Sequence, residues 1–145
     1  MKIKQVSVFL ENKKGRLLEV CSLLGKSNIN IRALSIAETE GFGVLRIIVD
    51  KPEAAVNVLR SSQLVSNLTE VIAVEVEDKP GGLARILDIL EHNDINIEYM
   101  YGFIEKFSEN ALMVFRFDDL EKAAGILKAN SIKILTQAEL GTACN

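Results

Sequence analysis

A chain of 145 residues allows one average domain or two minimal ones, so the choice rests on whether the sequence repeats. Its 48% apolar and 26% charged residues suit a globular chain, and no uncharged apolar run approaches the ~18 residues of a bilayer span. A net charge of -3 gives no global positive field, so neither a membrane nor a nucleic acid is an expected partner.

The chain opens on Met1-Lys2-Ile3-Lys4-Gln5 without the apolar stretch and small-residue cleavage site of a signal peptide, and is expected to be cytoplasmic. Val6, Val8 and Leu10 then alternate with other positions, the period of a half-buried strand. After Gly15, Leu17, Val20, Cys21 and Leu24 form one helical stripe. Ile29-Asn30-Ile31 opens a second strand, the glycines Gly41 and Gly43 turn it, and Val44 to Val49 form a third. Asp50, with Glu53 three residues on, has the spacing of an N-terminal capping box before a helix that buries Ala55, Val56 and Leu59. Leu64 to Leu68 close the unit as a short strand.

The same order then recurs. Lys13-Lys14-Gly15-Arg16-Leu17 and Asn28-Ile29-Asn30-Ile31 align without a gap on Lys79-Pro80-Gly81-Gly82-Leu83 and Asp94-Ile95-Asn96-Ile97, an offset of 66 residues set by Gly15 and Gly81. Between residues 6–31 and 72–97, nine positions are identical: Val8, Glu11, Lys13, Gly15, Leu17, Leu24, Ile29, Asn30 and Ile31. Beyond the hairpin the offset becomes 68, which puts two extra residues in the loop that carries Ser108, Glu109 and Asn110. Ile72, Val74 and Val76 form the recurring first strand, Leu83, Ile86, Leu87 and Leu90 the first helix stripe, and Leu112 to Phe117 the third strand. Asp118 and Glu121 repeat the capping spacing, Ala123, Ile126 and Leu127 the second stripe, and Ile132 to Leu135 the closing strand. Two stripes needing the same face of one antiparallel sheet make a two-layer α+β unit, a ferredoxin-like βαββαβ sandwich. Domains of residues 1–69 and 70–145 follow, packed as a rigid pair, because about 70 residues give a marginal core alone.

The run Glu77-Asp78-Lys79-Pro80-Gly81-Gly82-Leu83, followed by Asp94-Ile95-Asn96-Ile97, resembles the signature of the ACT regulatory family. Glu11-Asn12-Lys13-Lys14-Gly15-Arg16-Leu17 with Asn28-Ile29-Asn30-Ile31 is a weaker form that lacks the proline and the second glycine. The resemblance covers nearly the whole chain. It implies two ACT-like units that bind a free amino acid or similar small metabolite at an interface between paired domains. It also implies a homodimer and the regulation of a metabolic enzyme carried on another chain, whether as a ligand sensor or through direct protein contact with vestigial ligand sites. On this reading the ligand-binding residues are Asn12, Lys13, Lys14, Gly15, Arg16, Leu17, Asn30 and Ile31 in the first copy. Asp78, Lys79, Pro80, Gly81, Gly82, Leu83, Asn96 and Ile97 are their counterparts in the second.

The residues of the loop agree in kind. Gly81 and Gly82 reach backbone conformations closed to other residues and bring helix N-terminal amides towards a docked group, for which a carboxylate is the natural guest. Asp78 and Asn96, or Asn12 and Asn30, would accept from its ammonium. A structural role is also open: Gly81 suits a tight turn, Asn96 a local backbone bond, Pro80 a rigid turn and Leu83 the core. Lys13, Lys14 and Arg16 suit either an acidic ligand or a solvated loop. The second loop, with Pro80 rigid and Gly82 open, is expected to be the better site.

No catalytic or metal site, and no cofactor, is expected. His92 has no second ligand at metal spacing and reads as solvated or capping. Cys21 falls on a helix stripe and Cys144 one residue from the end, which reads as two reduced thiols. Tyr99, Tyr101 and Phe103 alternate as on an RNA-binding sheet, but the acidic chain lacks the basic-glycine-aromatic run of such a domain, so they read as a pocket wall or dimer contact.

Overall fold

The computed structural model describes residues 2–105 and 108–142, so Cys144 lies outside the described residues. Two compact units divide the chain, one of Lys4–Thr69 and one that joins the residues from Glu70 onward to the first three. The first is built from β1 (Ile3–Glu11), α1 (Arg16–Lys26), β2 (Ile31–Thr39), β3 (Phe42–Val49), α2 (Pro52–Ser61) and the opening of β4 (Val65–Val76). The second continues from β4 through α3 (Gly82–His92), β5 (Ile97–Gly102), β6 (Ala111–Phe117), α4 (Leu120–Ala129) and β7 (Ile134–Leu135), and ends in α5 (Gln137–Thr142). Both units are βαββαβ, and the α+β ferredoxin-like class read from the repeat holds. The expected closing strand of the first copy and opening strand of the second are one element. β4 runs unbroken for 12 residues, because no Gly or Pro interrupts a stretch rich in Val, Ile and Thr.

Strand order is β2-β3-β1-β4 in the first unit and β7-β4-β6-β5 in the second. The antiparallel register that matters most sets Leu10 against Gly43 and Gly43 against Glu38, with Thr39 facing Phe42 across the Glu40-Gly41 turn. Its second-unit counterpart sets Val76 against Ala111 and Gly102 against Met113. Val6, Val8, Leu10, Leu45, Ile47 and Val49 meet Val20, Leu24, Ala55, Val56 and Leu59 in one core. Ile72, Val74, Val76, Phe115 and Phe117 meet Ile86, Leu90, Ala123 and Leu127 in the other. Gln5, Ser7 and Ala73 are buried as well, so the two-residue period marks which face meets the helices rather than which face meets water. Leu17, expected on the buried stripe of α1, is 39% exposed, and Leu23 packs against the core instead.

The expected capping boxes at Asp50 and Asp118 do not form. Both helices start one residue later than that spacing requires, with Lys51 and Asp119 at the N-caps and Pro52 pre-setting the first turn of α2. Asp119 caps α4 by accepting from Lys122 N at 3.0 Å. Asp50 and Asp118 instead tie down the start of the second strand, accepting from Asn30 N at 2.9 Å and Asn96 N at 3.1 Å. Glu53 and Glu121 turn outward to Lys4 and Lys2. The C-termini of α1 to α4 follow one rule. Asn28, Gln63, Asp94 and Ser131 take positive φ of 54 to 64°, and the next residue donates back to Leu24, Leu59, Leu90 or Leu127 at 2.9 to 3.0 Å. Each is a Schellman cap with its apolar contact.

Candidate functional site

Between β1 and α1, and again between β4 and α3, the chain makes the same left-handed turn. Gly15 at φ 91° and Gly81 at φ 83° are the N-caps, and neither helix has a side-chain cap. A Cβ on either glycine would meet open space, so positive φ rather than crowding demands glycine there. Arg16 N donates to Lys13 O at 3.3 Å and Gly82 N to Lys79 O at 2.9 Å, after which Glu19 N and Arg85 N begin the helical ladders on Gly15 O and Gly81 O. Leu17 and Leu18, and likewise Leu83 and Ala84, lie in the first turn, where an amide has no acceptor four residues back. These amides and the helix dipole favour an anion at both loops.

Each loop borders a cleft. The first, of about 340 Å³, is lined by Leu10, Glu11, Asn12, Lys13, Arg16, Leu17, Ile36, Glu38 and Gly43. The second, of about 400 Å³, is lined by Val76, Glu77, Asp78, Lys79, Pro80, Leu83, Ala111 and Met113. The strand register explains the difference between them. In the first unit Leu10, Gly43 and Glu38 form a row across three strands, and β2 supplies a wall. In the second unit β5 ends at Gly102, so the row from Val76 to Ala111 has no third strand beside it. The first cleft is therefore walled on its β2 side and the second is open there.

Charge within the loops is internally matched. Lys13 pairs with Glu11 at 2.8 Å and holds its carboxyl below the usual glutamate range, with Arg16 assisting. Arg16 pairs with Glu19 at 2.9 Å, which raises the guanidinium pKa further. Lys79 at 2.7 Å and Arg85 at 3.4 Å do for Glu77 what Lys13 and Arg16 do for Glu11. Asn12 Nδ2 donates to Glu38 Oε1, which fastens β2 to the loop.

Of the residues singled out in the sequence, Asn12, Lys13, Arg16 and Leu17 come together around the first cleft, and Asp78, Lys79, Pro80 and Leu83 around the second. Lys14 is exposed beside the first. Gly82 serves a different purpose from the open approach expected of it: a Cβ there would lie 2.0 Å from Glu77 O, so the backbone itself excludes a side chain. Asn30, Ile31, Asn96 and Ile97 are not brought to the loops of their own units. Asn30 is tied to Asp50, seven residues along from Gly43, which puts it about 23 Å from the cleft at ~3.3 Å per strand residue. Asn96, bonded to Asp118, is placed the same way. Sequence reasoning missed Ile36, Glu38 and Gly43; the two-residue Glu40-Gly41 turn was the signal that sets Glu38 opposite Gly43.

His92 ends α3 with Nδ1 2.8 Å from Asp88 O and 3.3 Å from Asp88 Oδ1, and this contact raises its pKa. Among the described residues no group of three or more His, Cys, Asp or Glu is arranged to hold a metal, and no helix is long and apolar enough to cross a membrane.

Two equivalent loops on two ferredoxin-like units match what known proteins show. The family described as an ACT domain pair matches residues 1–143. The chain belongs to that family. Its ACT pair is similar to protein BT0572 of Bacteroides thetaiotaomicron, with 40% identity, a TM-score of 0.90, and 97% of this chain and 96% of the other covered. The regulatory subunits of aspartate kinase from Thermus thermophilus, in ligand-free form, and from Thermus flavus share the ACT fold at 17% and 15% identity. Their TM-scores are 0.62 and 0.58, with 87% of this chain and 88% of theirs covered in each case. No curated protein matches significantly. The ACT domain pair is a regulatory domain.

Proposed function

We propose that this ACT pair is a regulatory sensor that binds a free amino acid. The observation that supports it most is the pair of clefts at corresponding loops, each placed where a glycine N-cap leaves helix amides without a side-chain partner. A carboxylate at those amides gains charge-assisted bonds of about 1.5 to 3 kcal/mol each before desolvation is subtracted. Because Asn30 and Asn96 lie at the far end of their own units, they reach such a ligand only across an interface between paired ACT units, and a homodimer supplies one. The regulated activity then resides on another chain.

Thermal denaturation of the intact protein with each of the twenty amino acids tests this. A ligand at 100 times its dissociation constant stabilises by about 2.7 kcal/mol. Twenty flat melts would end the sensor reading, and sedimentation as a monomer with and without the bound amino acid would end the interface.

A second reading rests on Leu18, Leu34 and Ile36, which are 70%, 40% and 56% exposed on α1 and β2 of the first unit. Such apolar exposure suits contact with a regulated enzyme. Binding of a partner chain without any amino-acid dependence would favour it.

A further inference from the structure

The repeat places three apolar residues on the surface of the first unit where the second unit carries polar ones. Phe9 and Phe42 are 45% and 58% exposed, and Val65, at the start of β4, is 62% exposed. Val8 and Leu10 of β1 and Leu45 and Ile47 of β3 face the helices, so by alternation Phe9 and Phe42 lie on the opposite face of the sheet. By the offsets of 66 and 68 residues their counterparts are Glu75, Asn110 and Lys133. There Glu75 Oε1 accepts from Ser108 Oγ at 2.7 Å and from Asn110 Nδ2 at 3.2 Å, and Glu75 N donates to Lys133 O at 3.0 Å. The fold therefore does not require apolar side chains at these positions. Bare aromatic surface carries a solvation cost that a covering group removes.

Phe9, Phe42 and Val65 line a groove of about 450 Å³ whose residues all belong to the first unit. Its charged lining is two carboxylates, Glu11 and Glu19, against one guanidinium, Arg16. Ser62 and Gln63, at the C-terminus of α2, line it too, and the negative end of that helix dipole adds to the acidic side. Glu11 pairs with Lys13 and Glu19 with Arg16, and a carboxylate that holds one cation keeps further acceptor sites. Aromatic surface with an acidic rim fits a partner that is apolar at its centre and basic around it. The exposed parts of two phenylalanines and a valine come to roughly 250 Å², well short of the about 800 Å² per partner of a stable interface. A second copy would also set the acidic rim against itself. We propose that this face docks a basic peptide segment of another protein, with an aromatic or aliphatic anchor seated on Phe9, Phe42 and Val65. It is the sheet face opposite to that of Leu34 and Ile36, which pair with Ile47 and Leu45, and its occupation is independent of the sensor reading.

Fluorescence anisotropy with the intact protein uses three labelled synthetic peptides: two phenylalanines between lysine triplets, two phenylalanines between glutamate triplets, and two serines between lysine triplets. The lysine-flanked phenylalanine peptide should bind at least tenfold more tightly than either other, about 1.4 kcal/mol. Phe9→Gln combined with Phe42→Asn should weaken it at least tenfold, and because both side chains are exposed the variant should melt close to the parent. Val65→Thr keeps a β-branched shape and should weaken the peptide at least twofold, which serves where the double variant does not fold. Glu19→Gln should weaken it as well and flatten its dependence on salt. Equal binding of the lysine-flanked and glutamate-flanked phenylalanine peptides, affinity undiminished by the Phe9 and Phe42 substitutions, or no binding at all would overturn the proposal. Concentration-dependent sedimentation of the parent that the double variant loses would give the face to a second copy. Adsorption to phosphatidylcholine vesicles lost in the same variant would give it to a membrane, and either result overturns the peptide as occupant. None of these outcomes bears on stabilisation by an amino acid, so the docking face and the sensor reading fail separately.

Discussion

Gly82→Ala is the most informative substitution, because the structure assigns its glycine to backbone crowding and not to ligand access. The added Cβ would sit 2.0 Å from Glu77 O, and a carbon–oxygen contact needs about 3.3 Å, so the loop must open by about 1.3 Å. Glu77 O belongs to the backbone and cannot swing aside as a side-chain tip would. Arg16 occupies the equivalent place in the first unit, where the turn bond to Lys13 is 3.3 Å against 2.9 Å at Lys79. An opened form of this turn therefore exists, which bounds the cost, while Pro80 stiffens the second loop against adopting it. Overpacking of this size costs about 1 to 3 kcal/mol. Urea titration should show that loss in the Gly82→Ala protein. Gly25→Ala and Gly125→Ala, at helix positions where a Cβ meets nothing within 4 Å, should gain about 0.5 to 1 kcal/mol in the same assay. A Gly82→Ala protein as stable as the parent would refute the crowding argument and return Gly82 to the role of an open ligand approach.

Gln63→Gly should stabilise by up to about 1 kcal/mol, since Gln63 holds φ 64° at a helix C-terminus where glycine meets no Cβ penalty; unchanged denaturant midpoints would count against this. Thr136→Ala should cost about 0.5 to 2 kcal/mol and speed amide exchange in α5. Thr136 Oγ1 accepts from Glu139 N at 3.2 Å and Glu139 Oε1 accepts from Thr136 N at 3.1 Å, a capping box from which the substitution removes the acceptor of Glu139 N. Glu53 and Glu121 have carboxyl pKa values lowered by Lys4 and Lys2, so their contribution is present above pH ~4.5 and is lost as pH falls below it. Melting temperatures at pH 3 and pH 6 should differ less in a Lys2→Gln, Lys4→Gln double variant than in the parent.

Most of the fold was legible because the repeat supplied every element twice, so that a weak strand in one copy was supported by its counterpart. What the pattern could not show was where elements begin. Asp50 and Asp118 had capping-box spacing, yet Pro52 and Asp119 started the helices later and freed both aspartates to bind the amides of Asn30 and Asn96. Residue spacing identifies a donor and an acceptor within reach but not which neighbour wins, and here the strand start competed successfully with the helix start. The capping box that does form, Thr136-Gln137-Ala138-Glu139, was equally visible in the sequence and marks a helix that lies outside the repeat.

At the site, the loops themselves were legible because only glycine takes the φ that Gly15 and Gly81 require. The walls were not, because they depend on register and strand length. Gly43 leaves room beside Ile36, with a built Cβ 3.8 Å from its side chain, and so keeps open the row that ends at Glu38. In the second unit Ala111 stands in that row and the chain leaves the sheet after Phe103, whose amide still donates to Leu112 O at 3.0 Å, before a counterpart of Glu38 is reached. The copy with the more conventional glycine-rich loop is thus the one with the less complete cleft. Two residues inserted in a hairpin, neutral for the core, leave the second cleft without the wall that β2 gives the first, so tandem copies of one domain keep the same fold while their clefts diverge.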